Sequence, residues 1–73
     1  MQADNIPDPL QHAIALHRGG NLTEAQAIYQ RLLDENPDHA DALQLLGAIA
    51  HQLGRHGEAV ALIRRSLSIA PSG

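Results

Sequence analysis

The chain has 73 residues, which bounds it to a small domain with little room for a core. Apolar residues make up 44%, yet there is one Tyr, no Phe, no Trp and no Cys; the interior must be Leu, Ile, Val and Ala, which favours helices, and disulfides or thiolate metal sites are excluded. The net charge is −3 and all five basic residues are Arg, so the clustered positive surface that nucleic acid or an anionic membrane requires is missing.

The opening "MQADNIPDPL" has no charged n-region and no apolar h-region, so no signal peptide is expected. No apolar run approaches the roughly 20 residues of a membrane span, and the expected location is cytoplasmic. Residues 1–7 read as an N-terminal extension. A first helix starts at Asp8, an N-cap residue, with Pro9 at the first helical position, and ends at Gly19-Gly20, where a left-handed residue closes the helix. Thr23 is expected to cap a second helix, with Gln26 three residues on in capping-box spacing. That helix stops near Glu35, because Asn36 precedes Pro37 and avoids the α region. Asp38 is expected to cap a third helix, with Asp41 in its first turn, and Gly54 ends it. Gly57-Glu58 opens a fourth, which closes near Ala70-Pro71. The short turns require neighbouring helices to run antiparallel.

The chain also repeats itself. Shifted by 34, Asp4–Pro37 overlays Asp38–Pro71 with nine identities, four of them in the block G-x-x-x-E-A-x-A, present as "GNLTEAQA" and "GRHGEAVA". Such a period marks a stacked architecture of helix pairs. On the third helix Leu43, Leu46, Gly47 and Ala50 form one face; on the fourth Ala59, Ile63 and Leu67 recur every four residues. Gly47, Ala50 and Ala59 are small where two helix axes are expected to approach most closely. The last helix carries Val60, Leu62, Ile63, Leu67 and Ile69, which spread around more than one side. An apolar stripe is therefore expected to stay exposed and to support self-association through this helix, making the chain a candidate homo-oligomer.

The pattern Leu43-x₂-Leu46-Gly47-x₂-Ala50, then Ala59-x₃-Ile63, then Pro71 resembles the tetratricopeptide repeat, or TPR. Ala25-x₃-Tyr29 and Pro37 match in the first repeat, where Leu16 also suits its place, but Pro9, His12 and Ala13 stand where Trp, Leu and Gly are usual. The resemblance covers residues 4–71. It implies an all-α solenoid of two repeats and four antiparallel helices: an atypical, capping-like repeat at 8–37 and a second at 38–71. Residues 72–73 form a C-terminal end at which the chain could have been cut from a longer one. It further implies a concave groove for a peptide or protein segment, lined by Leu10, Ile14, His17 and Arg18 from the first repeat and Asp41, Gln44, Ala48, His51 and Gln52 from the second. The Lys and Asn that grip C-terminal carboxylates in chaperone-binding TPRs have no counterpart here. At the positions of the asparagine ladder of the nucleocytoplasmic O-GlcNAc transferases stand Gln11 and Leu45. The opening repeats also look like those of bacterial TPR proteins that continue into transferase domains.

The histidines are the chemistry-capable residues: His12, His17, His39, His51 and His56. His17 and His51 occupy equivalent places in adjacent repeats, where packed helices would bring two imidazoles within reach of one metal. The plainer reading is exposed groove or surface imidazoles; His51 and His56 flank a turn without metal-ligand spacing. No metal site, cofactor or catalytic residue is expected, since no nucleophile–base pair or phosphate loop is present. Arg64-Arg65 reads as favourable charge near a helix C-terminus, with an anion contact as the alternative. Three functional readings stand: a binding module using the concave face, a structural or oligomerisation element, and the N-terminal part of a larger transferase, such as an O-GlcNAc-transferase-like enzyme, whose catalysis lies elsewhere.

Overall fold

The computed structural model describes residues 8–70. The expected extension at 1–7, the packing residue Pro71 and the end at 72–73 lie outside the described residues. The helices are α1 (Pro9–Arg18), α2 (Leu22–Glu35), α3 (Ala40–Gln52) and α4 (His56–Ile69). Extensive packing joins α1 to α2, α2 to α3 and α3 to α4, and no strand occurs among the described residues. This is an all-α helical-repeat solenoid.

The α1–α2 and α3–α4 turns are built alike. Gly20 and Gly54 take φ of 87° and 81°, the left-handed region that a Cβ disfavours. Gly20 N–H donates to His17 O at 3.1 Å and Asn21 N–H to Leu16 O at 2.8 Å; Gly54 N–H donates to His51 O at 3.0 Å and Arg55 N–H to Ala50 O at 2.8 Å. Each pair of bonds satisfies the last carbonyls of the preceding helix in a Schellman arrangement. The identity Gly20/Gly54 is thus a closing device used twice.

Because that turn hands the chain directly to the next helix, the caps differ from expectation. Asn21, not Thr23, holds the N-cap place of α2, so Thr23 lies inside the first turn, and Asn21 makes no side-chain cap bond. Arg55 stands at the N-cap place of α4, which begins at His56, ahead of the expected Gly57-Glu58. Asp8 precedes α1 as expected, through its backbone: Asp8 O accepts from His12 N–H at 2.9 Å and its carboxylate caps nothing. Before α3 the cap is His39 rather than Asp38. His39 Nδ1 accepts from Ala42 N–H at 3.2 Å, while Asp38 N–H is drawn back to Asn36 Oδ1 at 3.1 Å. An Asx turn has taken the residue that spacing alone assigns to the cap. The first-turn acidic residues Glu24, Asp41 and Glu58 sit where the helix dipole favours them.

The core joins Ala13, Ala25, Tyr29, Leu33, Ala42, Leu43, Leu46 and Ile49, with Tyr29, Leu43 and Ile49 the largest fully buried side chains. At Gly47 α4 lies close against α3: a Cβ there would lie 2.8 Å from Ile63 Cγ1 and 3.3 Å from Ala59 O. Of the expected packing residues, Ala25, Tyr29, Leu43, Leu46, Gly47, Ala50 and Ala59 are buried and Ile63 is half-buried, but Pro37 is exposed. Its carbonyl is used instead, accepting from Arg65 Nη2 at 3.0 Å. Arg65 therefore braces the α2–α3 turn.

The stripe Ala59, Ile63, Leu67 is corrected in its last member. Leu67 is half-exposed, and Ser66 is buried in its place, its Oγ donating to Ala40 O at 2.9 Å. Steps of four residues drift by about 40° each around a helix, whereas seven residues return within about 20°. Ser66, seven after Ala59, stays on the face that α3 covers.

Candidate functional site

Helices α1 and α3 carry the nine residues expected to line a groove. Leu10, Ile14 and Ala48 are half-buried, Leu10 packing on the core; Arg18, Asp41, Gln44, His51 and Gln52 are exposed, and His17 is half-buried. The apolar members are thus half-buried and, His17 apart, the polar ones exposed. One direct bond crosses between the two rows. His17 Nε2 lies 2.7 Å from Gln52 Oε1; an amide oxygen only accepts, so the imidazole carries its proton on Nε2. His17 also meets Tyr29 edge-to-face, with ring centroids 6.4 Å apart and planes at 74°. Tyr29 is fully buried and, among the described residues, its hydroxyl has no hydrogen-bond partner. Desolvation raises its pKa above the ordinary 10.0.

The pairing of His17 with His51 is not realised. His17 bonds Gln52 instead, and His51 Nδ1 lies 3.1 Å from His56 Nδ1 across the α3–α4 turn. Among the described residues no three or more His, Asp or Glu side chains gather as a metal set. Ser66, Arg65 and His39 all serve backbone groups, which leaves them structural.

A hollow of about 280 Å³, lined by Pro9, His12, Ile28, Arg31, Leu32 and Glu35, lies between α1 and α2. Sequence reading did not point to it. A signal lay in the atypical start of the first repeat, where Pro9 stands in place of the far larger Trp.

No helix among the described residues is long and apolar enough to cross a membrane. The tetratricopeptide repeat family model matches residues 10–73. A human protein, tetratricopeptide repeat protein 7B, is 31% identical over 67 residues; the match covers 84% of this chain and 8% of that protein. The chain therefore spans a small part of its curated relative's length. With the helix pairs, the twice-used turn and the small residues where α3 packs on α4 already in place, the family match makes this chain a member of the tetratricopeptide repeat family.

Proposed function

We propose that the chain is a non-catalytic protein-interaction scaffold that takes an extended peptide or protein segment on the α1/α3 face. Tetratricopeptide repeats mediate protein–protein interactions in general, and this surface has the makeup such a role needs. The observation that carries the reading is the His17–Gln52 bond, which ties the inner helices of successive repeats while Arg18, Asp41, Gln44 and His51 beside it remain exposed. Half-buried Ile14 and Ala48 supply apolar contact, and the exposed polar groups can pair with the backbone of an extended segment. Titrating the isotope-labelled chain with a panel of synthetic peptides tests this. Saturable amide shifts at Ile14, His17, Gln44 and His51 are expected. Shifts confined to α2 or α4 would relocate the binding face.

A second reading has its own support. Val60 and Leu67, seven residues apart on α4, are 50% and 52% exposed, and Leu53 in the preceding turn is 45% exposed. An apolar stripe of this kind suits pairing with a second copy. Sedimentation at several concentrations tests it: reversible association, abolished by Val60→Glu with Leu67→Glu, is expected, and a monomer throughout would remove the reading. In the transferase alternative, catalysis lies outside these residues and the role of this surface is unchanged.

A further inference from the structure

We propose that His51 and His56 form a two-imidazole chelate for a divalent transition-metal ion at the α3–α4 turn. His51 and His56 flank a turn and lack metal-ligand spacing in the sequence. The turn supplies what spacing does not. His51 is in the last turn of α3 and His56 is the first residue of α4. Between them Gly54 at φ 81°, with the paired bonds Gly54 N–H to His51 O and Arg55 N–H to Ala50 O, fixes how one helix leaves and the next begins. The rings are set at 63° with centroids 4.9 Å apart, and the two Nδ1 atoms are 3.1 Å apart.

That separation is the argument. Imidazole nitrogens bind zinc-like ions at about 2.0–2.1 Å; two of them 3.1 Å apart then subtend about 98° at a shared ion. This falls between the 90° of square or octahedral sites and the 109° of tetrahedral ones. The two nitrogens now share one proton between them, with one ring donating and the other accepting. An ion accepted by both lone pairs takes the place of that proton, which passes by way of solvent to Nε2 of the same ring and leaves both imidazoles neutral; the rings turn about their side-chain torsions so that both lone pairs converge. Both side chains are exposed, so the ion can enter and water can fill its other positions. The flanking charges are Arg55 and Glu58, opposite in sign and bordering one small hollow with Gln26 and Leu46, so the turn adds no net charge against a cation. Two neutral nitrogens with open positions select imidazole-preferring ions, Cu²⁺ first, then Ni²⁺ and Zn²⁺, over Mg²⁺ or Ca²⁺. The site shares His51 with the α1/α3 face, but it needs no peptide bound there.

The test uses the full chain in a non-coordinating buffer, titrated separately with Cu²⁺, Ni²⁺, Zn²⁺ and Mg²⁺. Calorimetry gives stoichiometry and affinity, and histidine ring signals give location. One Cu²⁺ per chain is expected, with Mg²⁺ silent. Substoichiometric Cu²⁺ should broaden His51 and His56 before His12, His17 and His39. His51→Gln and His56→Gln should each weaken Cu²⁺ binding tenfold or more, the double variant little further, and His12→Gln should bind as the parent does. Circular dichroism checks that the variants, both at exposed positions, keep their helices. Equal broadening of all five rings, or wild-type affinity in either single variant, overturns the proposal.

Discussion

Leu33 and Leu67 are the same residue at the same place in successive repeats, one period of 34 apart, yet Leu33 is 9% exposed and Leu67 is 52% exposed. The same holds one turn earlier: Tyr29 on α2 is fully buried, while its counterpart Ile63 on α4 is half-buried. Helix α2 lies against both α1 and α3, whereas α4 packs extensively on α3 alone among the described residues. In a stacked array a residue's burial is decided by the next helix as much as by its own. An identical pattern in two repeats therefore does not imply identical energetics.

That comparison is most sharply broken by truncation at the two leucines. Leu33→Ala should destabilise by about 2–5 kcal/mol, as buried Leu→Ala changes do. Leu67→Ala should cost under about 1 kcal/mol, because half of the side chain is already in water and Ala is a better helix former. Thermal or urea unfolding of the two variants checks this. Equal losses would mean that α4 has a covering neighbour in solution, and their dependence on protein concentration would identify it as a second copy.

Gly47→Leu probes the inner side of α4. With 2.8 Å from a Cβ to Ile63 Cγ1 and backbone at 3.3 Å, the added side chain must push the helices apart, at a cost of about 1–3 kcal/mol. Ile63 can shift more easily than Tyr29 could, because its far side is open; a loss well above this range would show that α4 is held as firmly as α2. Unfolding without any change would mean that Gly47 does not face α4.

The two turns should behave alike where the helices do not. Gly20→Ala and Gly54→Ala each place a Cβ in left-handed backbone with nothing within 4 Å, so strain is the whole effect. Each should cost about 1–2 kcal/mol. Denaturant unfolding of both checks the pair, and a clear inequality would show that the turns are not equivalent despite their matching bonds.

The helices and their order were legible because the period, the G-x-x-x-E-A-x-A block and the proline at Pro37 are each tied to one physical device. What was missed is local competition. Asp38 lost the cap to His39 because Asn36 claimed its backbone N–H, and Thr23 lost it to Asn21 because the Schellman turn leaves no intervening residue. The inward place of Ser66 does not register in an apolar pattern, because it rests on a hydroxyl bonded to Ala40 O. The His17–Gln52 contact joins two residues expected to share one surface, and no spacing rule encodes that pairing. The His51–His56 contact depends on the exit angle of a turn, which no spacing rule encodes.

The smallest expected effect comes from Tyr29, whose burial distinguishes α2 from α4. Its hydroxyl is enclosed with no partner among the described residues, so Tyr29→Phe removes a desolvated polar group and leaves the ring contacts in place. At neutral pH the change should be neutral or stabilising by about 1 kcal/mol at most. The alkaline limb separates the variants further. Burial raises the Tyr29 pKa in the fold above the ordinary 10.0, so above that pH the unfolded chain gives up a proton that the native chain retains. Unfolding is then favoured increasingly as the pH rises from 10.0 toward the native value, and the stability tied to the neutral phenol is lost across that interval. With no second tyrosine in the sequence, Tyr29→Phe should lack this component. Chemical unfolding at several pH values, below and above 10.0, should therefore show the two proteins diverging only on the alkaline side. Parallel stability profiles would mean that water reaches the hydroxyl in solution, and that the covering of Tyr29 by α1 and α3 is looser than its full burial implies.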